Sequence, residues 1–312
     1  MGTDTPLPVS AIPPLPRMSL EQLRVFVAVA EREHVTRAAE ALHLTQSAAS
    51  AAVQALERHF GVRLFHRAGR GIALTEAGRL LLGEARGVLA RAAAAERALA
   101  ELSGLRRGRL LVQASQTIAS YWLPRHLVAF RARFPAIELA LAIANTEAVA
   151  HAVAEGIAEL GFVEGEVAEP SLAGEVVAED RLAIVVAPGH PWAAIPALAP
   201  QRLLETGWVL REPGSGTRSA FTRALAGFGL DPALLEVSLE LPSNEAVRSA
   251  VAAGGGAGAM SDLVSEALVR AGGLRRVPFA LPARQFRVLR QRERYLGHAA
   301  LALLGMLGVA AG

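Results

Sequence analysis

The stretch TRAAEALHLTQSAASAAVQALERHFGVRLFHRAGRGIALT, residues 36–75, decides the fold of the N-terminal part of this chain. A short helix is expected from Thr36, an N-cap candidate, with Ala38, Ala39 and Leu42 on its inner face. The break His43-Leu44-Thr45 ends it. A third helix then runs from Gln46 to Phe60: Ala49, Val53 and Leu56 recur on one face, Gln46, Ser47, Ser50 and Gln54 on the other, and Gly61 stops it. The segment RLFHRAGRGIALT turns at Gly69-Arg70-Gly71 between two short apolar runs, the pattern of a β-hairpin. Upstream, Ser19 and Gln22 form a capping box for a first helix with Leu23, Phe26, Val27 and Ala30 inward. Three helices, a tight turn and a basic hairpin predict a winged helix-turn-helix over residues 18–75. Its third helix carries small polar residues outward, so the backbone can come close to base edges in a major groove. An ordinary three-helix cap is the less favoured alternative.

Charge favours the first of these. All 32 basic residues are arginine, and the net charge of the 312-residue chain is only +3. Residues 18–108 hold 13 arginines against 9 acidic residues, whereas residues 109–312 hold 18 against 19. Between Arg58 and Arg70 lie four arginines (Arg58, Arg63, Arg67, Arg70) and His59 and His66, with no acid. Such a cluster suits a polyanionic partner.

The Pro-rich residues 1–17 read as a disordered leader, or as an over-extended start ahead of Met18. From Thr75 to Leu102 one long helix is expected. Its residues Leu81, Ala85, Val88, Ala92, Ala95, Leu99 and Leu102 alternate by four and three, a heptad seam for dimerisation. Residues 76–104 are therefore a linker helix, with a hinge at Gly104 and Gly108. Beyond it strands alternate with helices: 109–114, 137–143, 160–163, 182–187, 208–210, 234–241 and 258–260. The expectation is an α/β domain over 105–312 with mainly parallel sheets. Extended crossings near Asp180 and Arg287 divide it into one lobe of 109–180 and 287–312 and another of 181–286. The whole is an α+β multidomain chain.

Four loops that follow strands and open helices share one chemistry: Ser115-Gln116-Thr117, Asn145-Thr146, Gly214-Ser215-Gly216-Thr217 and Ser243-Asn244. Gathered at the carboxyl ends of parallel strands, their hydroxyls, amides and helix N-terminal N–H groups suit a small anion. Each taken singly also reads as an N-cap. Enzyme readings find no GxSxG elbow, no phosphate-binding P-loop and no HExxH. The run AGGGAGAM follows a helix and reads as a turn into a strand. No cysteine is present, and no two histidines stand four apart, so neither metal nor cofactor is expected. No apolar run reaches the ~18 residues of a membrane helix, and the expected location is the cytoplasm without membrane association. A solute-binding module dimerised by its N-terminal part, and an anion-using enzyme, are the competing classes.

Residues 19–82 strongly resemble the DNA-binding end of LysR-type transcriptional regulators, through AAEALHLTQSAASAAVQALE and the GVRLFHR and LTEAG blocks. The segments ASQTIASYWLP, LGFVEG, APGHP and REPGSGTR resemble that family's periplasmic-binding-protein-like effector domain. Within the family, the regulators of sulfur assimilation and of the carbon-fixation operon are the most similar. The resemblance implies a ligand-responsive regulator rather than an enzyme: a homotetramer built as a dimer of dimers, on double-stranded promoter DNA beside a divergent target. RNA polymerase and a small anionic coinducer are implied as further partners. It places Gln46, Ser47 and Ser50 on bases, Thr36, Arg37 and Thr45 on phosphates, and Arg67 and Arg70 in the wing, with Gln54 and Arg58 on the same helix. The effector loops become Ser115, Gln116, Thr117, Asn145, Thr146, Gly214, Ser215 and Thr217. Two departures stand out. Ala51 and Ala52 replace the basic or amide residues many members carry, which shifts readout toward DNA shape, and Ala144 replaces a glycine before Asn145.

Overall fold

A computed structural model describes residues 18–69, 71–102 and 109–309, except the side chains of 97, 98 and 100–102. The expected leader, Arg70, the Leu102 side chain and the Gly104/Gly108 hinge lie outside them. The chain forms two compact units that divide after Ala94.

In the N-terminal unit, α1 (Leu20–Arg32), α2 (Val35–Ala41) and α3 (Gln46–Phe60) precede a hairpin of β1 (Phe65–Ala68) and β2 (Gly71–Leu74). Helix α4 (Glu76–Leu102) runs on through the division. The capping box at Ser19 forms as expected, with reciprocal bonds of 3.1 and 2.9 Å to Gln22. Thr36 does not cap α2. His34 does, its Nδ1 accepting from the Arg37 amide, because the chain enters the helix two residues earlier, after Glu33 in the left-handed region. Thr36 thus sits in the first helical turn, exposed.

Phe26, Leu23, Leu56, Leu64 and Ala85 form one part of the core, and Val25, Val29, Ala38, Ala49 and Val53 another. Glu57 ties α3 to the wing by accepting from the Leu64 and Phe65 amides at 2.8 and 3.3 Å. Thr75 donates to the Arg63 carbonyl at 2.7 Å and caps α4 through Gly78 N. A Cβ at Gly78 would collide with the Leu64 carbonyl, so that position needs glycine.

The C-terminal unit opens with β3 (Arg109–Ser115), then a π-helical turn (Ile118–Trp122) that runs into α5 (Leu123–Arg133). There follow β4 (Glu138–Ala144), α6 (Thr146–Glu155), β5 (Leu160–Glu164) and the long β6 (Leu172–Val186). Next come β7 (Trp208–Arg211), α7 (Gly216–Gly227), β8 (Val237–Leu241), α8 (Asn244–Ala252), β9 (Gly258–Ser261) and α9 (Asp262–Arg270). The chain ends in β10 (Arg275–Arg276), β11 (Ala283–Gln291) and α10 (His298–Met306).

Strands β4, β3 and β5 run parallel, as does the β7–β8 pair, but β11 and β6 run antiparallel to their neighbours. The sheet is therefore mixed rather than mainly parallel. The crossings expected near Asp180 and Arg287 are strands in their own right. Strand β6 pairs with β11 up to Arg181 and with β9 from Leu182. Strand β11 pairs with β5 and β6 along its whole length, so the return crossing lies ahead of Ala283. Phe162, Phe286 and Trp122 centre the core of one lobe; Trp192, Trp208 and Phe221 centre that of the other. AGGGAGAM is the turn from α8 into β9, with Gly254 and Gly256 at positive φ.

Candidate functional site

The outer face of α3 is built by exclusion. Burying Ala49, Val53 and Leu56 forces Gln46, Ser47, Gln54 and Arg58 outward, all exposed, with Ser50 half-buried among them. Thr45 caps the helix, accepting from Ala48 N at 3.2 Å while its hydroxyl meets Ser47 Oγ at 3.0 Å. Gln54 donates to Ser50 Oγ at 3.3 Å, and Arg58 to the Gln54 carbonyl. Thr36, Arg37 and Arg67 are exposed, and none of Arg37, Arg58 and Arg67 has a carboxylate partner among the described residues. Ala51 is exposed on this face, whereas Ala52 packs against the core. The surface is thus polar, cationic and low in relief, and its arginines await an anion.

The seam on α4 differs from the heptad reading. Leu81 and Ala85 pack into the N-terminal core beside Phe26 and Leu56. Leu80 is 72% exposed and Leu99 68%, with Val88 and Ala95 exposed and Ala92 half-buried between them. The first turns of α4 thus help to close the winged domain, while Val88, Ala95 and Leu99 of the expected seam remain exposed.

In the C-terminal unit the four loops do converge, but on one another. Asn244 donates from its backbone to Gln116 Oε1 at 2.6 Å and from Nδ2 to Thr117 Oγ1 at 3.0 Å, and its Oδ1 accepts from Arg211 at 2.6 Å. Asn145 caps α6 and reaches the Pro213 carbonyl at 3.4 Å, while Glu147 N donates to the Gly214 carbonyl at 3.2 Å. Ser115, Thr117, Ser215 and Thr217 are buried, and Ser115 Oγ has no hydrogen-bond partner among the described residues. Beside Arg211, Glu212 is pushed up by burial but held net below the usual carboxylate range by hydrogen bonds and the charge of Arg211.

An open cleft of about 530 Å³ lies beside these loops, lined by Thr146, Glu164, Gly216, Ser219, Arg223 and Arg284 among others. Of the eight expected effector residues only Thr146 is a side chain of that lining. Gln116, Thr117, Asn145, Gly214 and Thr217 instead bond to other loops and strands of this unit.

Residues 20–79 match the family described as bacterial regulatory helix-turn-helix protein, lysR family, and residues 103–311 the LysR substrate binding domain. This chain belongs to the LysR family of transcriptional regulators. It is 35% identical over 246 residues to a probable RuBisCO transcriptional regulator of Cyanophora paradoxa, covering 78% of this chain and 76% of that protein. The solved structure of full-length CbnR complexed with its target DNA is similar with a TM-score of 0.65 at 21% identity, covering 93% of this chain and 98% of that one. The regulatory domain of Synechocystis PCC6803 CcmR in complex with 2-PG is similar with a TM-score of 0.59 at 26% identity, covering 64% and 95%. This LysR regulator is accordingly a DNA-binding protein with an effector-binding domain, and its family is one of regulators rather than enzymes.

Two residues of the regulator's cleft were not anticipated from its sequence. Arg284, on β11, is 6% exposed: Nε donates to Asp180 Oδ2 at 2.7 Å and Nη1 to Thr217 Oγ1 at 3.0 Å. Its Nη2 lies 2.7 Å from the same Oδ2 but off the hydrogen-bond axis, and 3.9 Å from Glu164 Oε1. Glu164 closes β5, 4% exposed, and accepts from Thr146 Oγ1 at 3.0 Å. The motif LGFVEG quoted for the resemblance contains Glu164; the alternation of ARQFRVLRQ, residues 283–291, was the available signal for Arg284. Among the described residues no group of three His, Asp or Glu side chains could hold a metal ion, and no helix is long and apolar enough to cross a membrane.

Proposed function

We propose that this LysR regulator binds promoter DNA through the α3 face and the wing, and that a small anionic metabolite entering the cleft between its lobes changes that binding. The observation that carries the DNA half is an exposed helix face free of acidic side chains, flanked by arginines that no carboxylate among the described residues neutralises. Gln46, Ser47 and Ser50 then read base edges, Ala51 offers a methyl to thymine, and Thr36, Arg37, Thr45, Gln54 and Arg58 fix the register on phosphates. Arg67 tracks the backbone from the wing. The anion half rests on Arg223 and Arg284 in the cleft wall and on the likeness to CcmR, whose regulatory domain was solved with 2-PG. The exposed α4 residues Val88, Ala95 and Leu99 support a homodimer as the building block, with a homotetramer as the working assembly. Two DNA-binding units then meet two half-sites.

The test is salt-dependent binding of the full chain to DNA from its own upstream region. Each phosphate contact contributes a slope of roughly 0.9 in log affinity against log salt. Arg67→Ala should lower the slope by about that amount and weaken random and specific DNA alike. An unchanged slope would remove the wing from the interface.

A further inference from the structure

The hydrogen-bond polarity of the cleft identifies more than the charge of what enters it. This inference rests on the reading of the cleft as the effector site. An anion bound only by donors would want every hydroxyl of the wall to have a free proton. Thr117 and Thr217, which are buried and outside the lining, each accept a bond, from Asn244 Nδ2 and from Arg284 Nη1, and keep their own protons. Thr146 does not. Its one proton is committed to Glu164 Oε2 at 3.0 Å, so toward the cleft it offers lone pairs alone.

Glu164 carries this further. Two carboxyl groups, Asp180 and Glu164, face the single guanidinium of Arg284, and Asp180 takes the hydrogen-bonded share. Asp180 is completed by Ser261, which donates to Oδ1 at 2.7 Å. Glu164 Oε1 accepts no hydrogen bond among the described residues and has only the Arg284 contact at 3.9 Å. The carboxyl also lies against the start of α7: a Cβ on Gly216 would stand 2.9 Å from Oε2 and 2.5 Å from Thr146 Oγ1. The glycine is what lets Glu164 and Thr146 reach the cleft wall here. Glu164 Oε1 therefore has acceptor capacity left for a donor that enters the cleft.

We infer that Glu164, with Thr146, is a selectivity pole: the effector is a small acid that also carries a hydrogen-bond donor, a hydroxyl or a protonated oxygen. Its anionic end meets Arg223, which has no acidic partner among the described residues, and Arg284, while its donor meets Glu164 Oε1. A fully deprotonated oxyanion of the same size meets a carboxylate there and is repelled. Sites that pair a required donor discriminate strongly against ligands without one.

The experiment compares two ligand pairs that differ in that donor: inorganic phosphate, still protonated near neutral pH, against sulfate, and glycolate against acetate. Titration calorimetry on the full-length protein should give at least tenfold tighter binding for phosphate and for glycolate. Glu164→Gln, which keeps the acceptor for Thr146 and adds an amide donor, should reduce both ratios to about one or invert them. If that variant does not fold, Thr146→Val serves instead; losing the hydroxyl that orients the carboxyl should lower both ratios severalfold. Equal affinities within each pair for the wild type, or ratios untouched by either variant, would overturn the role of Glu164 and leave the anion cleft standing. Failure of all four ligands to bind would remove the anion cleft, and the inference with it.

Discussion

The two ends of the molecule treat their polar side chains in opposite ways. On α3, Gln46, Ser47, Gln54 and Arg58 stand in solvent, and their bonds are short-range ones within the same helix. Between the lobes, Asn244, Thr117, Arg284 and Thr217 are buried, Asn244 bonded to Thr117 across 127 residues of sequence and Arg284 to Thr217 across 67. The difference follows from the size of the partner. A DNA duplex brings its own extended surface and its own charge, so the protein needs only to leave its donors uncovered. A small metabolite must be enclosed, and enclosure requires two lobes that hold one another through polar contacts able to open and close.

The largest effect that can break this contrast is at Asp180. Removing one partner of a buried ion pair leaves the other charge uncompensated, at about 3–5 kcal/mol. Asp180→Ala strips Arg284 of its hydrogen-bonded carboxylate and Ser261 of its acceptor. Arg63→Ala in the N-terminal unit removes an ion pair to Glu57 whose arginine is 82% exposed, and such pairs contribute at most about 1 kcal/mol. Urea unfolding of the two variants should separate them clearly. Equal losses would show that the buried network is no more stabilising than a surface pair.

Next in size is base readout. Gln46→Ala deletes an exposed amide at the first position of α3, so folding stability should stay within about 0.5 kcal/mol of wild type. Specific DNA binding should fall by roughly 1–3 kcal/mol while random DNA is bound almost as before. A matching loss on random DNA would move Gln46 from the base-reading set to the phosphate-reading set. No residue between the lobes should show this separation of stability from binding.

The same contrast explains what the sequence could and could not tell. The α3 face was legible because local rules define it: the spacing of Ala49, Val53 and Leu56 exposes everything opposite. The helix ends, the hairpin and the first strands were legible for the same reason. The cap of α2 was missed by two residues, since a histidine rather than a threonine serves it. Leu81 and Ala85 fitted a heptad, but nothing local says whether a partner helix or the protein's own core will cover them. The crossing strands went further astray. Three arginines in 283–291 disguise a strand, and Arg284 is buried only because Asp180, 104 residues earlier, lies on its neighbour β6. Which loop donates and which accepts in the cleft depends on such distant pairings. Residue types at the ends of strands pointed to polar loops, of whose expected residues only Thr146 lines the cleft, and only the structure assigned their protons.

The smallest expected effect concerns pH, and it belongs to the C-terminal unit. His190 Nδ1 accepts from the Trp192 amide at 3.1 Å, so Nε2 carries the proton and meets Thr206 Oγ1, also at 3.1 Å. Burial lowers its pKa from the ordinary histidine value, and burial followed by the charge of Arg125 does the same at His126. A histidine whose folded pKa lies below its unfolded value, near 6.5, binds fewer protons folded than unfolded. Its contribution is complete above that value and is lost as the pH falls through the folded pKa. At His190 the lost bond is identifiable: a proton on Nδ1 would face the Trp192 N–H it now accepts from, loosening the turn that carries Trp192 into the core beside Trp208. Melting temperature should therefore decline between pH 7 and pH 5.5. His190→Asn retains a capping oxygen that does not titrate, so its decline should be shallower than that of wild type, with His126 supplying the remainder. Superimposable curves would mean that the turn tolerates the charge and that His190 packs without governing the acid limb of stability.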